Sequence, residues 1–258
     1  MTQTDRRFWL IRELIKEQSS YVSMKIPVDE QQQKEMLRSL FNIRMPKAVS
    51  CDFCEIQDAY LQEEIKGKGI IDFAELKPIK DGIYLWQGDI TTLRCDAVVN
   101  AANSELLGCF VPCHCCIDNA IHSAAGLQLR DECNRLMQTQ GHGEPTGQAK
   151  ITRAYNLPCQ HVLHTVGPIV KGALTKKHCA KLQSCYRACL ELAAEKKLHS
   201  VAFCCISTGV FNFPNQQAAQ IAVAAVREFL SRNGGMKVIF NVFKDTDYKI
   251  YRELLYAD

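Results

Sequence analysis

Four thiols and an imidazole crowd into one short stretch, Gly108-Cys109-Phe110-Val111-Pro112-Cys113-His114-Cys115-Cys116. Thiolate and imidazole are ligands for borderline divalent metals, so metal binding is the first chemistry to consider. His114 and Cys116 are separated by one residue; in an extended segment they point the same way and Cys115 points opposite. Asp118 and His122 follow, four residues apart and hence on one helical face, either as a functional pair or as a plain hydrogen bond between turns. Asp118 could also cap the helix that begins near Ile117. Cys51 and Cys54 form a lone CxxC; on a helix both are expected to face the core.

Three further stretches carry residue types that ligand sites need. In Gly88-Asp89-Ile90-Thr91 a carboxylate can accept from an amino group, such as the exocyclic amine of adenine, or can cap a turn. In Val98-Val99-Asn100-Ala101-Ala102-Asn103-Ser104 two asparagines lie three apart. Amides donate and accept together, which suits a ribose diol; Asn100 is expected to satisfy loop backbone groups and Asn103 to face ligand. Ser207-Thr208-Gly209-Val210-Phe211-Asn212-Phe213-Pro214 offers backbone N–H groups and a helix N-terminus to a phosphate, although it lacks a Walker loop's GxxxxGK[ST].

The elements that must position these loops follow from hydrophobic period. Residues 1–72 read as a helical, polar extension. Phe8, Ile11 and Ile15 begin one helix, Asp29 and Gln32 resemble a capping box for a second, and Ser50 could cap a third that breaks at Lys66-Gly67-Lys68-Gly69. From residue 73 onward short β-rich runs alternate with longer helical ones. Strands are predicted at Gly82–Gln87, Ala97–Asn100, Ala149–Tyr155, His161–Val166, Val201–Ile206 and Lys237–Phe243. Helices are predicted at Ile117–Gln138, Lys177–Lys197, Pro214–Ser231 and Tyr248–Leu255. Such alternation implies an α/β domain with helices on both faces of a sheet and ligands at the carboxyl ends of its strands.

The chain has 258 residues, 47% of them apolar, which excludes intrinsic disorder over most of its length. A net charge of +3 is too small for a general nucleic-acid binder. No apolar run is long enough to span a bilayer, and the first residues lack an apolar signal region. Fourteen cysteines scattered through apolar runs such as VAFCCI fit reduced thiols in the cytoplasm better than a disulfide scaffold.

In order, GDIT, VVNAAN, IDNAIHSAAG, HTVGP and STGVFNFP resemble the macrodomain family, over residues 73–258. The resemblance implies a three-layer α/β/α fold with a central mixed sheet, and binding or hydrolysis of ADP-ribose. By that resemblance Asp89 binds the adenine amine, Ile90 gives a backbone N–H to a phosphate, and Asn103 contacts the distal ribose. Ser207, Thr208, Gly209, Val210 and Phe211 wrap the pyrophosphate, and Phe243 flanks adenine. One departure matters: CFVPCHCC replaces the glycine run of MacroD-type macrodomains, and Asn119 replaces a glycine. That departure is similar to a microbial zinc-dependent subclass linked to sirtuin-type ADP-ribosyltransferases and lipoylated carrier proteins. It implies one Zn2+ per chain on Cys109, His114 and Cys116, with Cys113 or Cys115 joining in an alternative four-ligand site. The implied activity is removal of mono-ADP-ribose from modified proteins, with Asp118 and Asn103 catalytic. Rival readings are a non-catalytic ADP-ribose reader and an O-acetyl-ADP-ribose deacetylase.

Overall fold

The computed structural model describes residues 1–21, 23–80 and 82–256. Three helices come first: α1 (Gln3–Lys16), α2 (Glu30–Ile43) and α3 (Cys51–Lys68). Each begins at a side-chain cap. Thr2 and Asp5 form a reciprocal box on α1, Asp29 accepts from the Gln32 amide, and Ser50 accepts from the Phe53 amide. The Asp29 cap therefore forms, with Gln32 contributing its amide. Leu10, Ile11, Leu14, Leu37, Leu40, Phe41 and Phe53 build an apolar cluster for this layer, joined by Leu127 from the chain that follows. Cys51 is exposed and Cys54 half-buried, so the pair does not face the core as expected.

After α3, Gly69 takes φ +87° and the chain turns into the α/β unit. Two residue pairs, β1 (Ile71–Asp72) and β3 (Leu93–Arg94), form a small parallel ladder. The main sheet holds β2 (Ile83–Gln87), β4 (Ala97–Ala102), β5 (Ala149–Arg153), β6 (His161–Val166), β7 (Ser200–Phe203) and β8 (Lys237–Val242). Its order is β2-β8-β7-β4-β6-β5, parallel throughout except for the antiparallel edge strand β5, so the sheet is mixed. Strands β4, β7 and β8 are almost continuously buried, as parallel strands covered on both faces must be.

Helices α4 (Ile117–Ala125) and α5 (Leu127–Gln140) pack against β4 and β5. Helices α6 (Lys176–Glu195), α7 (Asn215–Arg232) and α8 (Asp245–Tyr256) pack side by side and against the sheet. The single helix predicted over Ile117–Gln138 is thus two. Gly126 breaks it at φ +96°, where a Cβ would stand 2.7 Å from Gln57 Nε2. Gln57 Oε1 then caps the new helix by accepting from the Leu127 amide at 2.9 Å. Strand β5 ends at Arg153 because Tyr155 turns into the left-handed region, and β7 ends at Phe203, ahead of left-handed Ser207.

Candidate functional site

Strand β4 delivers Asn100 into the interior, fully buried. Its Nδ2 donates to Asp118 Oδ1 at 2.8 Å and lies 3.2 Å from His164 Nδ1 on the neighbouring strand β6. The amide therefore holds a carboxylate on α4, so the expectation from sequence that it satisfies loop backbone groups is not met. Three residues on, Asn103 Nδ2 donates to Gly108 O at 3.0 Å and to Asp118 Oδ2 at 3.4 Å. Asp118 thus sits between two amides, only 5% exposed. Burial raises its carboxyl to about 6, against the opposing pull of the Asn100 hydrogen bond.

His122 stands 3.6 Å from Asp118 Oδ1, beyond hydrogen-bond range, and neither ring nitrogen has a partner. Burial, then His164 and Arg130, holds its pKa well below the ordinary value, so the ring is neutral and the pair is not an ion pair. His164 is likewise pushed down by burial, to about 3, and meets the Thr152 hydroxyl at 2.9 Å through Nε2.

The thiol-rich loop runs from Gly108 to α4. Cys109 Sγ, His114 and Cys116 Sγ bring donor atoms within 4.8 Å of one another, and Cys109 Sγ lies 3.5 Å from His114 Nδ1. Cys113 turns away: its sulfur meets Ser39 Oγ at 3.2 Å and Glu35 O at 3.4 Å on α2. Cys115 is exposed. Cys116, not Asp118, caps α4, its sulfur accepting from the Asn119 amide at 3.4 Å. Burial, and the Cys109 thiol beside it, push Cys116 up to about 12. Two thiols and an imidazole this close could hold a borderline divalent cation such as Zn2+, the thiols giving up their protons on binding. Three protein donors leave a tetrahedral ion one open position, the pattern of catalytic zinc.

Two further loops leave the carboxyl ends of the strands. Asp89 follows β2 and caps a 3₁₀ turn (Ile90–Thr92), accepting from the Thr91 amide and hydroxyl at 3.0 and 2.7 Å. Its Oδ2 also meets Lys68 Nζ of α3 at 3.1 Å. Burial works to raise this carboxyl, yet Thr91 and Lys68 hold it below its ordinary value, so it stays an acceptor. Phe243 follows the adjacent strand β8 and is 76% exposed, a bare aromatic beside the Asp89 loop's strand. In Ser207–Phe211, the amides of Gly209, Val210 and Phe211, like that of Ile90, make no internal hydrogen bond among the described residues. Ser207 holds φ +66°, and its buried hydroxyl has no partner. The helix that follows, α7, has no side-chain cap, so no N-cap side chain accepts from its first amides. Free amides at a helix start suit a phosphate.

Sequence reasoning missed Asn100's grip on Asp118, the neutral His122–His164 pair and the Lys68–Asp89 contact. The buried position of Asn100 in an apolar run was the available signal for the first.

Known proteins resemble this chain closely. A Treponema medium protein named protein-ADP-ribose hydrolase is 54% identical, over 99% of this chain and 100% of its own. A Staphylococcus aureus protein of the same name is 45% identical, over 97% of this chain and 95% of its own. The Trypanosoma brucei macrodomain solved in complex with ADP-ribose superposes with a TM-score of 0.67 at 32% identity, over 84% of this chain and 94% of that one. An Oceanobacillus iheyensis macrodomain mutant with ADPR gives 0.65 at 38%, over 70% and 96%. Residues 99–222 match the profile described as Macro domain, and with full-length relatives at such identity, the chain belongs to the macro domain family.

Proposed function

We propose that the chain removes mono-ADP-ribose from modified proteins and that it is a zinc-dependent member of its family. It is a hydrolase, as the relatives with which it aligns from end to end are named. The observation that carries the finer reading is the convergence of Cys109, His114 and Cys116 at the start of the helix that holds Asp118. A protein that only reads ADP-ribose has no use for a metal donor set there.

Asp89 accepts from the adenine amine, Phe243 covers the ring, and the amides of Ile90 and Gly209–Phe211 donate to the phosphates. Asn103 holds the distal ribose against Asp118. The carboxylate of Asp118, ionised at neutral pH yet more basic than a solvated one, accepts the proton of the attacking water. The bond from the anomeric carbon to the protein side chain breaks as the water oxygen bonds to that carbon, the carboxylate stabilises the oxocarbenium-like charge of that transition state, and the departing side-chain atom recovers the proton that Asp118 took from the water. When bound at Cys109, His114 and Cys116, zinc supplies Lewis-acid charge at the start of α4. The subclass resemblance of the loop supports a sirtuin-type ADP-ribosyltransferase as the enzyme that installs the group, and a lipoylated carrier protein as its bearer. The free thiols suit a reducing, cytoplasmic setting.

The test follows ADP-ribose released from a mono-ADP-ribosylated protein, with and without chelator. Asp118→Asn is expected to lose release by roughly 10²–10⁴-fold while calorimetry finds ADP-ribose binding retained. Release that chelation leaves untouched removes zinc from the reading. A wild-type chain that binds but releases nothing is a reader, and one that frees only acetate from O-acetyl-ADP-ribose is a deacetylase.

A further inference from the structure

Of the N-terminal helices, α3 reaches the Asp89 loop through Lys68, and α2 lies against the thiol loop. On α2, Arg38 donates through Nε and Nη2 to Asn119 Oδ1 at 3.1 and 2.7 Å, and through Nη2 to His114 O at 3.0 Å. Asn119 is fully buried, and its Nδ2 donates in turn to Val111 O at 3.0 Å and Cys109 O at 3.4 Å. One guanidinium therefore reaches the backbone of His114 directly and that of Cys109 through a single amide. Four residues along α2, Asn42 Oδ1 accepts from the Cys113 amide at 2.9 Å. Cys113 has φ +51°, a left-handed conformation that is strained for a non-glycine residue and needs outside support. Asn42 Nδ2 also donates to Ser123 Oγ on α4 at 2.9 Å, so one side chain spans the loop and the helix that follows it.

We propose that α2 is a wall of the metal site, and that Arg38 and Asn42 are positioning residues for Cys109, His114 and Cys116. Neither residue offers a donor atom to an ion; each holds the peptide of a residue that does, or of the strained residue between them. Residues 109–116 hold no glycine, and fixed hydrogen bonds from outside supply the loop's shape. The proposal rests on the reading of the three residues as zinc donors, and its test separates the two.

The full chain is used throughout. Arg38→Ala and Asn42→Ala are expected to weaken zinc binding by roughly tenfold or more, the range that loss of an outer-shell partner costs, measured by competition with a chromophoric chelator. Cobalt(II) in place of zinc is expected to show altered ligand-field bands in both. Arg38→Lys restores part of the affinity, because an ammonium cannot reproduce the fork on Asn119 and His114. Gln3→Ala is the control: it removes bonds within the helical layer, to Tyr60 O and Glu64, and touches no part of the loop. Wild-type affinity and spectrum in both α2 variants overturn the proposal, as does an equal loss in Gln3→Ala. If the wild-type chain takes up no zinc, the donor reading fails by itself. Amide hydrogen exchange of residues 109–116 in the same metal-free variants then decides the positioning claim: faster exchange supports it, and unchanged exchange overturns it.

Discussion

Cys116 stands where the loop ends and α4 begins, and its sulfur meets both the Asn119 amide and the other two donors. These two roles can be pulled apart. Serine is a good N-cap but a hard, protonated and weak zinc ligand, so Cys116→Ser keeps the helix start while removing the thiolate. Zinc affinity is expected to fall by well over the roughly 10–100-fold that an outer-shell change costs, and ADP-ribose release to fall with it. Stability to denaturant should stay within about 1 kcal/mol. Cys115→Ser, at an exposed position, is expected to change neither; an equal loss there would reassign the donor set. Much at this scale was legible. The spacing of His114 and Cys116 set Cys115 apart, and Asn103 and Asp118 lie together as their motifs implied. Asn100 was misread because its partner lies on another element, and a sequence does not print the distance between a strand and the helix that follows it.

Arg130 of α5 is the joint between the two apolar clusters. Its buried guanidinium donates to Phe41 O, Asn42 O and Arg44 O at the end of α2, at 2.8, 2.9 and 2.6 Å, and to Leu107 O at 2.7 Å. It also lies 4.5 Å from the Phe110 ring centroid. Burial lowers its pKa to about 10, still far above neutrality, so it is charged in the folded chain. The last carbonyls of a helix have no partner within it, and here they find one side chain. Arg130→Met keeps the apolar stem and orphans these carbonyls. A loss of roughly 3 kcal/mol or more is expected, with loosening of both the helical layer and the Gly108–Cys116 loop. Urea unfolding and hydrogen exchange check it. Helices and strands at this scale were largely legible from period and caps. The break at Gly126 was not, because the partner that makes it worthwhile is Gln57, far off in the chain. The two-residue strands Ile71–Asp72 and Leu93–Arg94 are too short to leave any period.

For the molecule as a whole, the buried titratable groups set how stability changes with pH. His122 and His164 are neutral in the fold, with His164 held near 3, whereas unfolded histidines take up protons near 6.5. Their contribution is present above about pH 6.5 and is lost as pH falls. Asp118 has the opposite sign: folded, it takes its proton near 6, and unfolded only near 3.8. Between about pH 6 and 4 the unfolded chain therefore holds about two protons on these three groups where the folded one holds about one. Stability is expected to fall by roughly 1.4 kcal/mol per pH unit in that window. Urea unfolding at about pH 7 and about pH 5 measures it. His164→Gln removes one of the two opposing titrations and should flatten the slope; a variant as steep as the wild type would assign the slope to other groups.

The strand order has a consequence in time as well as in space. Strand β2 has one partner in the main sheet, and that partner is the last strand, β8. During synthesis Ile83–Gln87 is made early, and Lys237–Val242 comes only when nearly all the rest exists. Until then β2 is an open edge, a template for a wrong partner. The Asp89 loop hangs from that strand and Phe243 from β8, so the two sides of the proposed adenine site meet in the same step that completes the sheet. Contacts so distant along the chain form slowly. A nucleotide that needs both sides can recognise only a finished molecule, and binding at that site reports that the final strand has docked.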